Sequence, residues 1–391
     1  MAVSEKSLDA AYGMVYLAAC AVNNHIPDRE RTEQMDLEKV YALSRFHGMT
    51  SLIGMAAESA FNGRLPDNPL FVKWDKNICQ TVCRETLMDE ERQELLAFFE
   101  ERGIWYLPLK GIHLKELYPS PGMRQMADND ILFDKRFQPL VRQWFEERGY
   151  TVKSYNTGAH DVYMKEPFYS FEMHTSLFGF GHDPRWQAYY ENVKERLVLD
   201  TGKSFGYHFS DEDFYIYNTV HAFKHFSGGG TGLRSLLDCY VYVQAHGDSL
   251  DWPYIEKELE SLGAAEYEKY VRAVSLKAFS GTEPFTQEML AGDEKEFFEE
   301  ILVSGTYGTL DRLVRNKVKG LSPEEEKPSA RTKLRYIWHR LFPGPEHMAM
   351  YHPFFAKHRW LVPAGYVYRF IYSGVKGFKR ITSEFNTVRK M

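Results

Sequence analysis

Ile104–Phe133, IWYLPLKGIHLKELYPSPGMRQMADNDILF, is the stretch on which the fold turns. The apolar run Ile104 to Leu109 reads as a buried strand, broken by Lys110 and Gly111. Ile112 to Tyr118 has room for two helical turns, and the cluster Tyr118-Pro119-Ser120-Pro121-Gly122 then forces a loop. A second strand follows, carrying Asp128 and Asp130 just ahead of Ile131, Leu132 and Phe133. Residues two apart on a strand share a face, so this spacing holds two carboxylates side by side at the edge of an apolar layer.

Adjacent carboxylates repel unless a cation lies between them. A hard divalent ion such as Mg²⁺ suits the pair, because it takes oxygen ligands and is commonly shared with substrate phosphates. An isolated Asp-x-Asp is usually a solvated turn. Here a strand, a Lys-Gly break, a short helix, a loop and Arg124 precede it, and apolar residues prolong its strand.

Leu109-Lys110-Gly111, Tyr118-Pro119, and Arg124 four residues before Asp128-Asn129-Asp130 resemble the DNA-polymerase-β-like nucleotidyltransferases, and within them the bacterial uncharacterised nucleotidyltransferases. The likeness runs from about residue 40 toward the C-terminal region. It implies a mixed sheet, three carboxylates holding two Mg²⁺ ions, and transfer of a nucleoside monophosphate from an NTP to an acceptor. Asp128 and Asp130 would be the first two carboxylates and Glu172, in a Glu-x-His on a neighbouring strand, the third. Glu172 would also take the proton of the attacking hydroxyl. His160 and His174 fall at family positions and could orient an acceptor or a carboxylate.

The wider superfamily has Gly-Ser at the turn after the first strand; here Ile112 stands in place of the serine. Gly111 would let backbone approach a phosphate and Lys110 would supply charge, the bland alternative being a tight turn with a solvated lysine. Arg124 is a candidate for phosphate oxygens or for neutralising Asp128. Asn129 replaces an apolar, core-facing residue, so its amide needs a buried partner. In the helical half, the resemblance assigns His225, Arg234 and Asp238 to the nucleotide cleft; Arg234 and Asp238, four apart, also fit an intrahelical pair.

The flanking sequence sets the frame. Residues 1–100 read as helices: Ala11–Ala21, Asp36–Phe46, Met49–Phe61 and Trp74–Arg102, the last stopped by Gly103. A helix over Pro139–Arg148 precedes the hairpin Asp161–Lys165 and Phe168–His174, with Ser170, Glu172 and His174 on one face and Phe171 and Met173 on the other. Ser210 caps a helix running to Phe226, which sets His221 and His225 one turn apart without a third zinc ligand. The Ser227–Gly232 run, before a helix Leu233–His246, offers an anion cradle but lacks the Lys-Ser/Thr ending of a P-loop. Ser322-Pro323 marks another helix start, and Glu326–Ala330 reads as a linker.

Composition narrows the class. The chain has 391 residues, 44% hydrophobic and 26% charged, which is ordinary for a globular protein. A net charge of -6 gives no field for general nucleic-acid binding. No apolar run is long enough for a membrane span, and the polar start MAVSEKSLDA is no secretory signal. Four cysteines, with Cys79 and Cys83 expected as a buried thiol pair, suit a reducing cytoplasm. From Arg331 onward basic residues dominate, interleaved with Trp338, Phe342, Trp360, Tyr366, Phe370 and Phe378. That pattern fits a helix pair closing the fold, with contact to an anionic membrane as the weaker alternative.

The expectation is therefore an α/β (α+β) chain: a helical region 1–100, a small mixed-sheet nucleotidyltransferase core 101–205, a helical domain 206–325 and a basic helical region 326–391. Its chemistry would be transfer of a nucleoside monophosphate from an NTP, ATP foremost, with Mg²⁺ or Mn²⁺, to a hydroxyl of an unidentified small-molecule, saccharide or protein acceptor. Two alternatives stay open: a glycosyltransferase using Asp-x-Asp to hold a nucleotide-sugar, and an inactive protein that keeps the fold and binds a partner.

Overall fold

Five helices precede the first strand in the computed structural model, which describes residues 5–63, 68–179, 181–281, 283–322 and 327–391. They are α1 (Glu5–Val22), α2 (Arg29–Gln34), α3 (Leu37–Phe46), α4 (Thr50–Ala60) and α5 (Pro69–Arg102). Their starts are set locally: the carboxylates of Asp28 and Asp36 accept from the backbone N–H groups of Arg31 and Lys39. Gly103, at φ 66°, ends α5 in the left-handed conformation that glycine adopts without strain. Cys79 and Cys83 are both exposed on α5, correcting the expected buried pair. The buried face of the helix belongs instead to Trp74, Thr81, Glu85, Met88, Arg92 and Leu95.

The sheet follows. β1 (Tyr106–Pro108), β2 (Asn129–Phe133), β3 (Thr151–Ser154), β4 (His160–Lys165) and β5 (Tyr169–His174) form a mixed five-stranded sheet in the order β1-β2-β5-β4-β3. β2 and β5 are parallel; the other neighbouring pairs are antiparallel. Between β1 and β2 lie the short helix α6 (Gly111–Leu114) and a 3₁₀ turn, Lys115–Leu117. α7 (Gln138–Glu147) lies between β2 and β3 in the chain. Ile131, Phe133, Phe171, Met173 and Tyr163 face one side of the sheet and join Leu95, Phe99, Trp144 and Phe145 in the core. Asp130, Leu132, Glu172 and His174 are the alternate residues, so they face the other side. Among the described residues no strand precedes β1, so the strand–helix alternation of a nucleotide-sugar fold is missing from this part of the chain.

Beyond β5 come α8 (Pro184–Tyr189), the small hairpin β6 (Leu197–Leu199) and β7 (Tyr207–Phe209), α9 (Asp211–Ser227), α10 (Leu233–His246), α11 (Trp252–Ser261), α12 (Ala265–Phe279) and α13 (Gly292–Ser304). Ser210 caps α9, its hydroxyl accepting from Asp213 N–H. The chain divides into two compact units: Met1–Phe223 with Gly232–Thr306, and Lys224–Thr231 with Tyr307–Met391.

The second unit contains α14 (Leu310–Lys319), α15 (Ala330–Leu341), α16 (Pro345–Tyr351), α17 (Pro353–Lys357) and α18 (Val362–Lys390). Val314, Val318, Tyr336 and Val388 form its core. Arg340 pairs with Glu384, and Arg369 donates to the carbonyls of Arg340 and Leu341 at the end of α15. The glycine run belongs to this unit through Gly230: Asn316 donates to the carbonyls of Ser227 and Gly228, and Thr309 N–H donates to Gly229. The helix start expected at Ser322-Pro323 falls on 323–326, outside the described residues. Among the described residues, no helix is long and apolar enough to cross a membrane.

Candidate active site

Parallel pairing of β2 with β5 sets Asp130 directly opposite Glu172. Asp128 stands two residues before Asp130, just ahead of the strand. The charge of Asp130 acts on Asp128, and the charges of both act on Glu172. Burial, then the charge of Asp130, pushes Asp128 up to about 6. Burial and the charges of Asp130 and Asp128 push Glu172 up to about 7. Burial would lift Asp130 as well, but Lys110 and the hydrogen bond from His174 hold it well below the usual carboxylate range.

Lys110 Nζ lies 2.8 Å from Asp130 Oδ1, and His174 Nε2 lies 2.8 Å from the same oxygen. Lys110 reaches it from a backbone at φ 50°, ψ −114°, a region that non-glycine residues rarely enter. Burial alone would favour loss of the Lys110 proton; the charge of Asp130 overrides it and keeps the ammonium. Gly111, the next residue, is required sterically. A Cβ there would stand 2.2 Å from Arg124 Nη1 and 2.7 Å from Met126 Sδ.

Arg124 and Asp238 are brought together, with each other. Arg124 Nε and Nη2 donate to the two oxygens of Asp238 at 2.7 and 2.9 Å, and Tyr118 Oη donates to Asp238 Oδ1 at 2.8 Å. The carboxylate of Asp238 is thus turned to Arg124 and Tyr118 rather than only along its own helix to Arg234. Arg234 Nη1 donates to the Gln125 carbonyl at 3.1 Å, and its charge opposes the upward push on Asp128. His225 is exposed and belongs to the second unit.

The loop carrying Asp128 is fixed by α5, through residues no motif had marked. Arg84 Nη2 donates to the Ala127 carbonyl at 2.7 Å. The buried amide of Asn129 has both partners it needs: Arg92 Nη1 donates to its oxygen at 3.0 Å, and its nitrogen donates to the Met88 carbonyl at 3.2 Å. Lys115 pairs with Glu85 and Asp89, and the second oxygen of Glu85 accepts from Gly122 N–H. Sequence spacing showed Trp74–Arg102, most of α5, only as a helix. Its polar residues at 84, 85, 89 and 92 were indistinguishable from solvated ones until the loop was seen packed on them.

Residues 33–278 match the family model described as uncharacterised nucleotidyltransferase. The chain belongs to that family. No curated protein and no solved structure matches it. In this member of the uncharacterised nucleotidyltransferases, Asp130 and Glu172 on the sheet and Asp128 just ahead of it all fall inside the matched span.

A further residue joins the site from α9. Tyr217 is fully buried, its hydroxyl has no hydrogen-bond partner among the described residues, and it lies within electrostatic reach of Lys110, Asp130 and Glu172. The helix is aromatic on several sides, with Phe214 and Tyr215 beside it, so nothing in the sequence singled Tyr217 out. On the same sheet face, a cavity of about 920 Å³ is lined by Leu132, Thr175, Ser176, Trp105, Lys194 and Tyr207 among others.

Proposed function

We propose that this nucleotidyltransferase moves a nucleoside monophosphate from an NTP to a hydroxyl of its acceptor, with a divalent ion held by Asp128, Asp130 and Glu172. The observation that carries this reading is the register Asp130↔Glu172 with Asp128 beside it: two acids on adjacent inner strands and a third in the loop entering them, two of the three resisting ionisation. Such a donor set fits a divalent ion, which would relieve the repulsion and neutralise charge on the phosphates of the nucleotide.

The chain's own groups have separable tasks. Glu172, with an affinity for protons near neutrality, is suited to take the proton of an attacking hydroxyl. Lys110 keeps its charge beside Asp130 and can turn to a phosphate oxygen when nucleotide enters. Arg234 adds positive charge on the Asp128 side. Arg84, Arg92 and Asn129 hold the backbone under the acids, so the carboxylates are in position before substrate binds. The cavity past Leu132 and Thr175 lies on the same face as Asp130 and Glu172, a suitable approach for the acceptor.

The test is incubation of the full chain with labelled NTPs, Mg²⁺ or Mn²⁺ and a cell extract, followed by identification of what becomes labelled. The expected result is transfer that Asp128→Asn and Asp130→Asn each reduce by about 10²–10³-fold or more, with an unchanged circular-dichroism spectrum. Full activity in both variants would sink the assignment. Absence of any binding of NTP with metal would favour an inactive, partner-binding member of the fold, consistent with Ile112 where the wider superfamily has serine.

A further inference from the structure

Antiparallel β4 and β5 place His160 directly opposite His174, and Glu172 lies two residues before His174 on the same face. His160 Nε2 is 3.6 Å from Glu172 Oε2, and His174 Nε2 is 3.8 Å from the same oxygen. One ligand atom from each of the three lies within 4.8 Å of the others. Among the described residues no other three histidine, cysteine or acid side chains offer ligand atoms this close together, the Asp128, Asp130 and Glu172 trio included. We propose that His160, Glu172 and His174 bind a first-row transition-metal dication of the Mn²⁺, Co²⁺ or Zn²⁺ kind, in preference to Mg²⁺.

Three considerations carry it. Metal–nitrogen and metal–oxygen bonds of roughly 2.0–2.2 Å put neighbouring ligands about 3–3.5 Å apart, so closing the present spacing takes side-chain torsions and no strand movement. Two imidazoles favour the borderline dications, whereas Mg²⁺ takes oxygen and keeps its water. Asp130 Oδ1 lies 2.8 Å from His174 Nε2 and 2.8 Å from Lys110 Nζ. With the Nε2 proton of His174 released to solvent as the ion binds, Oδ1 and Nε2 would be at the spacing of two ligands on one ion, Asp130 supplying a fourth donor while keeping its ion pair to Lys110.

An independent feature points the same way. The buried hydroxyl of Tyr217, without a hydrogen-bond partner among the described residues, is within electrostatic reach of Lys110, Asp130 and Glu172, where a water in the ion's coordination sphere would satisfy it. What the ion does rests on the nucleotidyl-transfer reading; whether it binds does not.

Co²⁺ makes the binding visible through its absorption bands. The chelator-stripped full-length protein, without nucleotide, is titrated with Co²⁺, and the bound spectrum is then challenged with Zn²⁺ or with Mg²⁺. The expected result is a Co²⁺ spectrum of nitrogen and oxygen coordination that Zn²⁺ bleaches and that about a hundred-fold excess of Mg²⁺ leaves in place. His160→Ala, at a half-exposed strand position, should weaken Co²⁺ binding by about tenfold or more with an unchanged unfolding midpoint. His174→Gln, whose amide can still donate to Asp130, should likewise weaken Co²⁺ binding, with or without a shift in the unfolding midpoint, and serves if His160→Ala fails to fold.

Equal displacement by Mg²⁺ and Zn²⁺, or wild-type Co²⁺ affinity in both folded variants, would overturn the proposal. NTP-dependent transfer with Mg²⁺ and no Co²⁺ spectrum would overturn it while leaving nucleotidyl transfer standing. A Co²⁺ spectrum with no response to any NTP would leave the metal site and remove nucleotidyl transfer.

Discussion

Two groups of buried charge meet the Lys110-Gly111 turn, one through Lys110 and the other through the Arg124 that packs on Gly111, and they are built on opposite principles. Arg124, Asp238 and Tyr118 form a closed set: one guanidinium, one carboxylate and one hydroxyl, joined by bonds of 2.7–2.9 Å. Asp128, Asp130 and Glu172 are three carboxylates with one close lysine, which pairs with Asp130; burial first, and then the neighbouring acids, push the other two toward their protonated forms. The first set is complete within the chain and holds the loop in place. The second is short of positive charge, and a site in that condition is poised for a cationic or metal-bearing ligand. Both groups contain residues expected at the nucleotide site, and only their surroundings separate them.

The largest effect should come from opening the closed set. Asp238→Ala leaves the Arg124 guanidinium buried and uncompensated, and urea unfolding is expected to show a loss of about 3–5 kcal/mol. By contrast Asp128→Asn, in the open set, should leave the urea midpoint at pH 8 unchanged or higher, because it removes one of the mutually repelling charges. A stability loss in Asp128→Asn as large as that in Asp238→Ala would erase the distinction drawn between them.

Next in size is the glycine against which Arg124 packs. Gly111→Ala drives a methyl group into Arg124 Nη1 and Met126, and Arg124 can yield only by leaving Asp238. A loss of about 1–3 kcal/mol in unfolding free energy is expected. In Gly111→Ala/Asp238→Ala the two losses should fall short of their sum, since the pair that resists the methyl group is already broken. Simple additivity would show that the glycine serves something other than room for Arg124.

The smallest effect is in pH. Asp128 and Glu172 titrate near 6 and 7 when folded, against ordinary values of 3.8 and 4.5. The folded state therefore holds protons that the unfolded chain has released, and these two groups favour folding more as pH falls from about 8 to about 5. Asp130 is depressed instead, so its contribution is constant over that window and is lost only at much lower pH. Comparing metal-free wild type with Asp128→Asn/Glu172→Gln by thermal unfolding across pH should show the wild type losing relative stability toward pH 8. Parallel curves would mean that the two acids are not under the mutual pressure described.

Much of this was legible before the fold was seen. The strand–break–helix–loop–strand order of residues 104–133 came from apolar runs and punctuating Lys, Gly and Pro, which act locally. Alternation along Tyr169–His174 put Glu172 and His174 on one face for the same reason. Cys79 and Cys83 were misread because two thiols one turn apart look alike on the buried and the exposed side of a helix. Arg84 and Arg92 went unmarked because a charged residue on a long helix is usually solvated, and here it meets a loop some forty residues away.

The sequence alone determined which residue types were available and which neighbours in the chain shared a face, since backbone period and steric preference are local. Only the tertiary structure decided which charges were answered. Arg124 meets Asp238 across 114 residues, Asp130 meets Glu172 through a parallel register, and His160 reaches His174 across a hairpin. Those pairings follow from how helices and strands pack to bury apolar surface, and packing is a property of the whole chain rather than of any stretch within it.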